Sequence, residues 1–357
     1  MHPAQIIVLV TPLFLLLIAL EWWIGRKRGR NTYRLNDALS SVGLGIMSQL
    51  AGVLTAVITL GIYVAVYQHA ALWSLPIDSP WVWVGALLLY DFLYYWLHRF
   101  GHTTALLWAA HAVHHQSEHY NLSTALRQTS SGWLFGWIFY LPMAVIGVPP
   151  LVFAVVGLID LLYQFWVHTE QIGRLGWFDR WFCSPSNHRV HHAVNDPYLD
   201  RNYGGILIVW DRLFGTFQNE LDGERCVYGT RDALRHWNPL VANAQVYRQL
   251  FRKMGQTPRW SDKLRLWGAP AHWQPPGAPV PESTPFDPQA RPRFDPPLSA
   301  TRQALAVTAF LLLLSVTAAA LWWAHQMSAW QQAAALALVT AGLCGVAQLC
   351  IPRTVAN

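Results

Sequence analysis

The stretch DFLYYWLHRFGHTTALLWAAHAVHHQSEHYNLSTALR, residues 91–127, decides how the rest of the chain is read. It carries His98-x-x-x-His102 and, nine residues on, His111-x-x-His114-His115. A third set, His188-x-x-His191-His192, stands in NHRVHH, with His168 alone between them in LLYQFWVHTE. On a helix, residues i, i+3 and i+4 project from one face, so each set aims two or three imidazoles in one direction. Three such faces can enclose one metal cluster. Eight of the fifteen histidines fall in these three five-residue windows, which ordinary core packing would not produce.

Imidazole suits iron, zinc, copper and nickel. Eight or nine nitrogens exceed the four to six or so that one ion takes, so two metals are implied. The four cysteines lie away from the histidine sets or form no C-x-x-C pair, which argues against a thiolate zinc site, an iron–sulfur cluster, a disulfide framework and a redox pair. The zinc-protease pattern H-E-x-x-H is absent.

Composition sets the environment. Of 357 residues, 53% are hydrophobic and only 12% charged, and mean hydropathy is +0.22. Soluble domains are about a quarter charged. The pattern predicts an all-α, multi-pass membrane bundle whose cytosolic helical cap carries the histidine-rich dimetal site. A net charge of +6 would suit nucleic acid, but cytosolic lysines and arginines of a membrane protein explain it more simply.

Four regions are expected: N-terminal membrane helices over 1–70, a catalytic region over 71–257, a proline-rich cytosolic segment over 258–303 and a C-terminal membrane hairpin over 304–357. Residues 6–24 form an apolar run of spanning length with its basic cluster after it, the reverse of a signal peptide. That order predicts a retained helix with its N-terminus outside. Residues 39–66 are longer than one span needs and contain Gly43, Gly45, Gly52 and Gly61, so tilt or a kink is expected. Residues 81–97 return to the cytoplasm and deliver His98. Residues 133–147 and 151–167 form a hairpin turning at Pro149-Pro150, crossing fully or dipping in, and bring His168 back to the same side.

Residues 201–217 (RNYGGILIVWDRLFGTF) read as turn, short apolar segment and turn, packed against the cluster. Residues 258–297 hold eleven of the twenty-two prolines and predict an irregular strap. The short-loop basic residues, Arg26 to Arg34, Arg99, Arg127 and Arg353, all fall on the histidine side under this topology, which puts the site on the cytoplasmic face.

A dizinc site would imply hydrolysis or structure, and a di-iron site oxygen activation. Ligands at the inner ends of membrane helices let a lipid chain rise to the metals while water-soluble donors approach from the other side. That suits oxidation of an unactivated C–H bond. The pattern H-x-x-x-H, H-x-x-H-H, H-x-x-H-H on a membrane chain resembles the fatty acid hydroxylase and sterol desaturase superfamily of di-iron membrane oxygenases. DFLYYWLHRFGH, LWAAHAVHHQSEHYNLSTALRQ, SPSNHRVHHAVN and NYGGILIVWDRLFGTF resemble its ether-lipid-cleaving branch most closely.

The resemblance implies two Fe ions held by His98, His102, His111, His114, His115, His188, His191 and His192, with His168 as a ninth ligand. It implies an O2-dependent monooxygenase of a membrane lipid that hydroxylates the ether-linked carbon of an alkylglycerol and releases fatty aldehyde. The electron donor would be tetrahydrobiopterin or another reductant, such as a redox protein. Two alternatives stay open. One is a hydroxylase or desaturase of sterols, carotenoids or fatty acyl chains within the superfamily. The other is a non-redox zinc-binding membrane hydrolase or transporter, although a transporter should place ionisable groups near the bilayer midplane.

Other polar residues are also candidates. Asp91 and Asp160 lie inside apolar runs, where carboxylates are functional suspects, and each is expected to hydrogen-bond an imidazole on a neighbouring helix or else a Tyr or Trp. Glu118 and Asn121 are expected to orient an imidazole or relay protons, with helix capping as the structural alternative. Arg99 and Arg127 read as lipid-phosphate or pterin contacts, or as interfacial side chains. His119 reads as a solvent-facing neighbour of the second set.

Overall fold

A computed structural model describes residues 3–277, 287 and 290–351 of the chain. His2, Arg353 and Pro279, Pro281, Pro285 and Pro288 of the expected strap lie outside the described residues. The described residues form helices and no strand, with two isolated bridges at Phe182–Leu207 and Ala193–Tyr228.

Among the described residues, four helices are long and apolar enough to cross a membrane: α1 (Pro3–Lys27), α2 (Leu35–Ala70), and the two C-terminal helices Ala300–Trp323 and Ala329–Leu349. Their outward faces are aliphatic, as lipid contact requires; Leu16 is 65% exposed and Leu312 64%. Helix α2 runs unbroken through its glycines for 36 residues, about 54 Å at 1.5 Å per residue. It is the centre of the bundle: Leu44 and Met47 meet Phe310 and Leu343 of the C-terminal hairpin, while Tyr63 meets Met143 and Val152 on the other flank.

Between these come α3 (Pro80–Thr103), α4 (Ala105–His115), α5 (Leu122–Ala125), α6 (Gly136–Ile146) and α7 (Pro150–Trp166). The α6–α7 hairpin reaches as deep as the α2–α3 loop. Gly147 packs against the Trp73 carbonyl with φ +98°, and an added Cβ there would fall 1.9 Å from that oxygen. Tyr63 Oη also donates to the Val148 carbonyl at 2.9 Å.

Thr104 is extended (φ −124°, ψ 125°), which breaks the chain between α3 and α4 and folds α4 back on α3. That fold sets His98 and His102 facing His111 and His115. The remainder is α8 (Phe178–Trp181), α9 (Pro185–His192), α10 (Val209–Leu213), α11 (Pro239–Gln256) and α12 (Trp260–Gly268), followed by the C-terminal pair, α13 and α14. Every residue of α9 is buried, under a lid of Tyr120, Tyr198 and Tyr228.

Candidate metal centre

The nine histidines gather into two adjoining clusters. His98, His102, His111, His115 and His191 form one, and His114, His168, His188 and His192 the other; within each, one nitrogen per ring lies within 4.8 Å of all the rest. The second and third sets are each divided between the two, whereas His98 and His102 both serve the first. In α4, His111 and His115 (i, i+4) turn to the first cluster and His114 to the second. In α9, His188 and His192 turn to the second and His191 to the first.

Backbone carbonyls fix the tautomers. His98 Nδ1 donates to Tyr203 O (2.8 Å), His114 Nδ1 to Arg127 O (2.8 Å), His168 Nδ1 to Gln164 O (2.7 Å) and His191 Nδ1 to Arg201 O (3.0 Å). A neutral imidazole has one N–H, so the Nε2 of each of these rings carries a bare lone pair. His114 Nε2 and His168 Nε2 nevertheless face each other at 3.2 Å. Two lone pairs at that distance repel, and a shared cation removes the repulsion.

The spacing agrees. His168–His188, His188–His192, His98–His111 and His111–His115 approach at 3.1–3.2 Å between Nε2 atoms. With metal–nitrogen bonds of about 2.1 Å, neighbouring ligands sit about 3.0 Å apart in an octahedron and about 3.4 Å in a tetrahedron. His102 Nε2 and His191 Nε2 are buried without a partner among the described residues. Burial, reinforced by neighbouring imidazoles, holds His111, His115, His188, His191 and His192 well below the ordinary imidazole value, and burial takes His114 down to about 4. All are therefore neutral ligands at physiological pH. The residues present fit two metal ions.

One loop supplies two of the four carbonyls. Asn202 takes a left-handed conformation (φ 57°), turning the carbonyls of Arg201 and Tyr203 toward His191 and His98. Asn tolerates this geometry better than most residues. Its side chain donates to Asn187 O and Gln218 O and accepts from Gln218 N. Asp211 then accepts from Tyr203 N and Gly204 N, both at 2.7 Å.

Asp91 holds the far end of the loop. Its carboxylate accepts from Ile206 N, Leu207 N and the Trp210 indole, so its partners are amides and a Trp rather than the imidazole that was one expectation. Its own helix places it two turns from His98, and the loop lies between it and the clusters. Asp160 likewise stands one residue removed. Gln164 donates to Asp160 Oδ2 (2.6 Å) while the Gln164 carbonyl accepts from His168. Both carboxylates crowd Gly205, where a Cβ would fall 2.7 Å from Asp160 Oδ1 and 3.1 Å from Asp91 Oδ1.

The remaining expected residues are structural in their contacts. Asn121 caps α5 through Ser123 N and donates to Thr32 O. Glu118 accepts from Phe294 N (2.6 Å) and pairs with Arg291. Neither touches an imidazole, because both side chains are taken up by the segments crossing over them. His119 is buried rather than solvent-facing, and it joins neither cluster. Arg127 is also buried: Nε donates to Val113 O and Nη2 to Gln116 Oε1, beside Asp37, which closes it to lipid phosphate.

Sequence reasoning missed Arg127 as the brace of α4, Asn202, Asp211 and the Arg189–Glu220 pair that ties α9 to the residues after His168. Asp211 carried a signal, since it too is a carboxylate inside an apolar run.

An apolar cavity of about 370 Å³ ends on both clusters. His98 and His111 of one and His114 and His168 of the other form its end wall, and aliphatic side chains of α1, α7 and α13 form its sides. Tyr94 and Gln164, one turn before His98 and His168, add polar groups at that end.

The sequence profile named Fatty acid hydroxylase matches residues 83–216, a span holding all nine histidines. Proteins named alkylglycerol monooxygenase from Xenopus tropicalis and Danio rerio are each 39% identical to the chain, over 86% of it and 68% and 69% of their own lengths. This chain belongs to the fatty acid hydroxylase family. The human alkylglycerol monooxygenase is 41% identical over 74% of this family member, which spans 59% of the human protein's length. No solved structure matches it.

Proposed function

We propose that the protein is a di-iron, O2-dependent monooxygenase that hydroxylates the ether-linked carbon of an alkylglycerol. The observation that carries this reading is an apolar cavity ending on two clusters of neutral imidazoles, in a chain similar to proteins named alkylglycerol monooxygenase.

The nine histidines would hold the two irons, which when bound supply oxygen activation. The balanced reaction takes R–CH2–O–R′, O2 and a two-electron, two-proton donor to the hemiacetal R–CH(OH)–O–R′, oxidised donor and water. The hemiacetal then collapses to fatty aldehyde and glycerol. Tetrahydrobiopterin or a redox protein would be the donor.

The chain's own part is to bind and orient. The aliphatic walls take the alkyl tail and exclude water from the reacting carbon. Tyr94 Oη donates to Gln164 Oε1 at 2.6 Å, leaving the Tyr94 oxygen as an acceptor and a Gln164 N–H as a donor for the glycerol hydroxyls. Asp160 holds Gln164 in place. Asp91, Asn202 and Asp211 keep the loop that orients His98 and His191.

We place the N-terminus outside and the metal face on the cytoplasmic side, supported by the basic run at Arg26 to Arg34. Arg127, buried, drops out of that argument. Product analysis of purified protein with an alkylglycerol, O2 and reduced pterin tests the function. Fatty aldehyde with two irons per chain is expected. Zinc without iron and no O2 uptake would overturn it in favour of a non-redox metal protein.

A further inference from the structure

Helix α3 carries an outward stripe at every fourth residue. Val84, Leu88 and Phe100 are exposed along it, as the lipid-facing side of a membrane helix requires. Phe92 and Trp96 continue the stripe but are only partly exposed, because α10 lies across them. The Trp210 ring meets Phe92 at 5.1 Å, and the ring of Phe214, which ends α10, meets Trp96 at 5.0 Å, centroid to centroid. The short helix therefore sits on a face that is lipid-facing before and after it.

Depth follows from α3 itself. It starts beside the far end of α2, where Ala86 joins Tyr63 and Val148. Phe92 and Trp96 lie twelve and sixteen residues past Pro80, about 18 and 24 Å along the helix, within a hydrocarbon layer of about 30 Å. Irregular backbone at that depth must find its hydrogen bonds inside the protein. Here Asp91 takes Ile206 N and Leu207 N, Cys183 N donates to Ile206 O at 2.8 Å, and Ile208 N donates to Trp181 O at 3.1 Å. A carboxylate inside an apolar run thus gains a reason, since it satisfies a loop sunk among lipid chains.

The last two bonds also tie the loop and α10 to α8, and Arg212 Nε adds one to Arg180 O at 2.9 Å. The joined pair presents Trp177, Trp181 and Leu213 outward, 68%, 57% and 66% exposed. Arg180 and Arg212 stand exposed beside them. Large apolar side chains grouped on a surface mark an interaction site, and arginines among them match lipid phosphate. The patch continues the lipid-facing stripe of α3, so its partner is the same bilayer.

We propose that α8 and α10 form a wedge seated in the leaflet on the metal side, with Trp177, Trp181 and Leu213 among acyl chains and Arg180 and Arg212 on the phosphates of anionic phospholipids. The wedge reaches the site as well: Asp211, on α10, holds the loop whose carbonyls orient His98 and His191. This seating is independent of the reaction the metals perform.

The test uses the full chain in nanodiscs of mixed phosphatidylcholine and phosphatidylglycerol, with nitroxide labels read by power-saturation EPR. Labels go on Trp177→Cys and Leu213→Cys, both mostly exposed side chains whose loss the fold tolerates. Leu16→Cys serves as the lipid reference, Asp222→Cys as the water reference and the unsubstituted chain as the blank for the natural cysteines. Both wedge labels are expected to match Leu16, open to O2 and closed to an aqueous nickel chelate. Arg180→Glu and Arg212→Glu together are expected to raise nickel access at both labels by about threefold or more. Labels as open to nickel as that at Asp222 overturn the wedge. Labels closed to both reagents overturn it too, because a protein such as a second copy would then cover the patch. Nickel access unchanged by charge reversal overturns the contact with anionic headgroups.

Discussion

His114 and His115 are neighbours in the chain, yet their imidazoles stand at 88° to each other and serve different clusters. His191 and His192 repeat the relationship, also at 88°. The doubled histidine is thus the hinge between two sites, and loss of either member should be felt at one site first.

His114→Ala and His115→Ala should each lower product formation by more than about 100-fold while the protein still inserts in the membrane. Metal analysis should show at most one tightly held ion per chain in each variant. Full turnover by either would count heavily against the ligand assignment. His119→Ala, outside both clusters, should keep its metal and most of its activity.

Asn202→Ala should loosen the loop that orients His98 and His191. The variant loses three hydrogen bonds and must hold φ 57° without a side chain suited to it. Metal affinity should fall by about 10- to 100-fold, measured by competition with a chelator. Asn202→Gly, which restores conformational freedom alone, should recover only part of the loss.

Arg127→Met should cost about 3 kcal/mol or more of stability, because it leaves Asp37 buried without its nearby positive charge. The double variant Asp37→Asn, Arg127→Met should be more stable than Arg127→Met alone. Thermal unfolding in detergent measures both, and additive losses would show that the two residues do not interact.

The Arg189–Glu220 pair gives a pH signature. Burial alone would raise the Glu220 carboxyl, but its hydrogen bonds and ion pair with Arg189 hold it below the ordinary value of 4.5. A depressed folded-state value means the pair stabilises fully above the unfolded value and loses that contribution as pH falls below it. The difference in melting temperature between wild type and Glu220→Gln should therefore be constant near neutrality and shrink below about pH 4.5. A difference that grows on acidification would reverse the sign.

Some of this was legible in the chain and some was not. The helices, their apolar lengths and the nine histidines follow from local periodicity and residue chemistry, which act within a few turns and need no partner. Asp91 and Asp160 stood out because an ionisable group in an apolar run demands a reason. What Asp91 bonds was hidden, since its partners lie more than a hundred residues away in the loop after Asp200. Asp160, by contrast, bonds Gln164 one turn on, and only its approach to Gly205 is long-range. Local spacing also suggested that each histidine set faces one way. The fold-back at Thr104 and the crossing of α9 over α4 divided the second and third sets in two, while His98 and His102 stayed together. Which imidazoles share an ion, which carbonyl fixes each tautomer and which face of α4 meets lipid are relations between distant segments. Only tertiary packing, which brings those segments within bonding distance, could decide them.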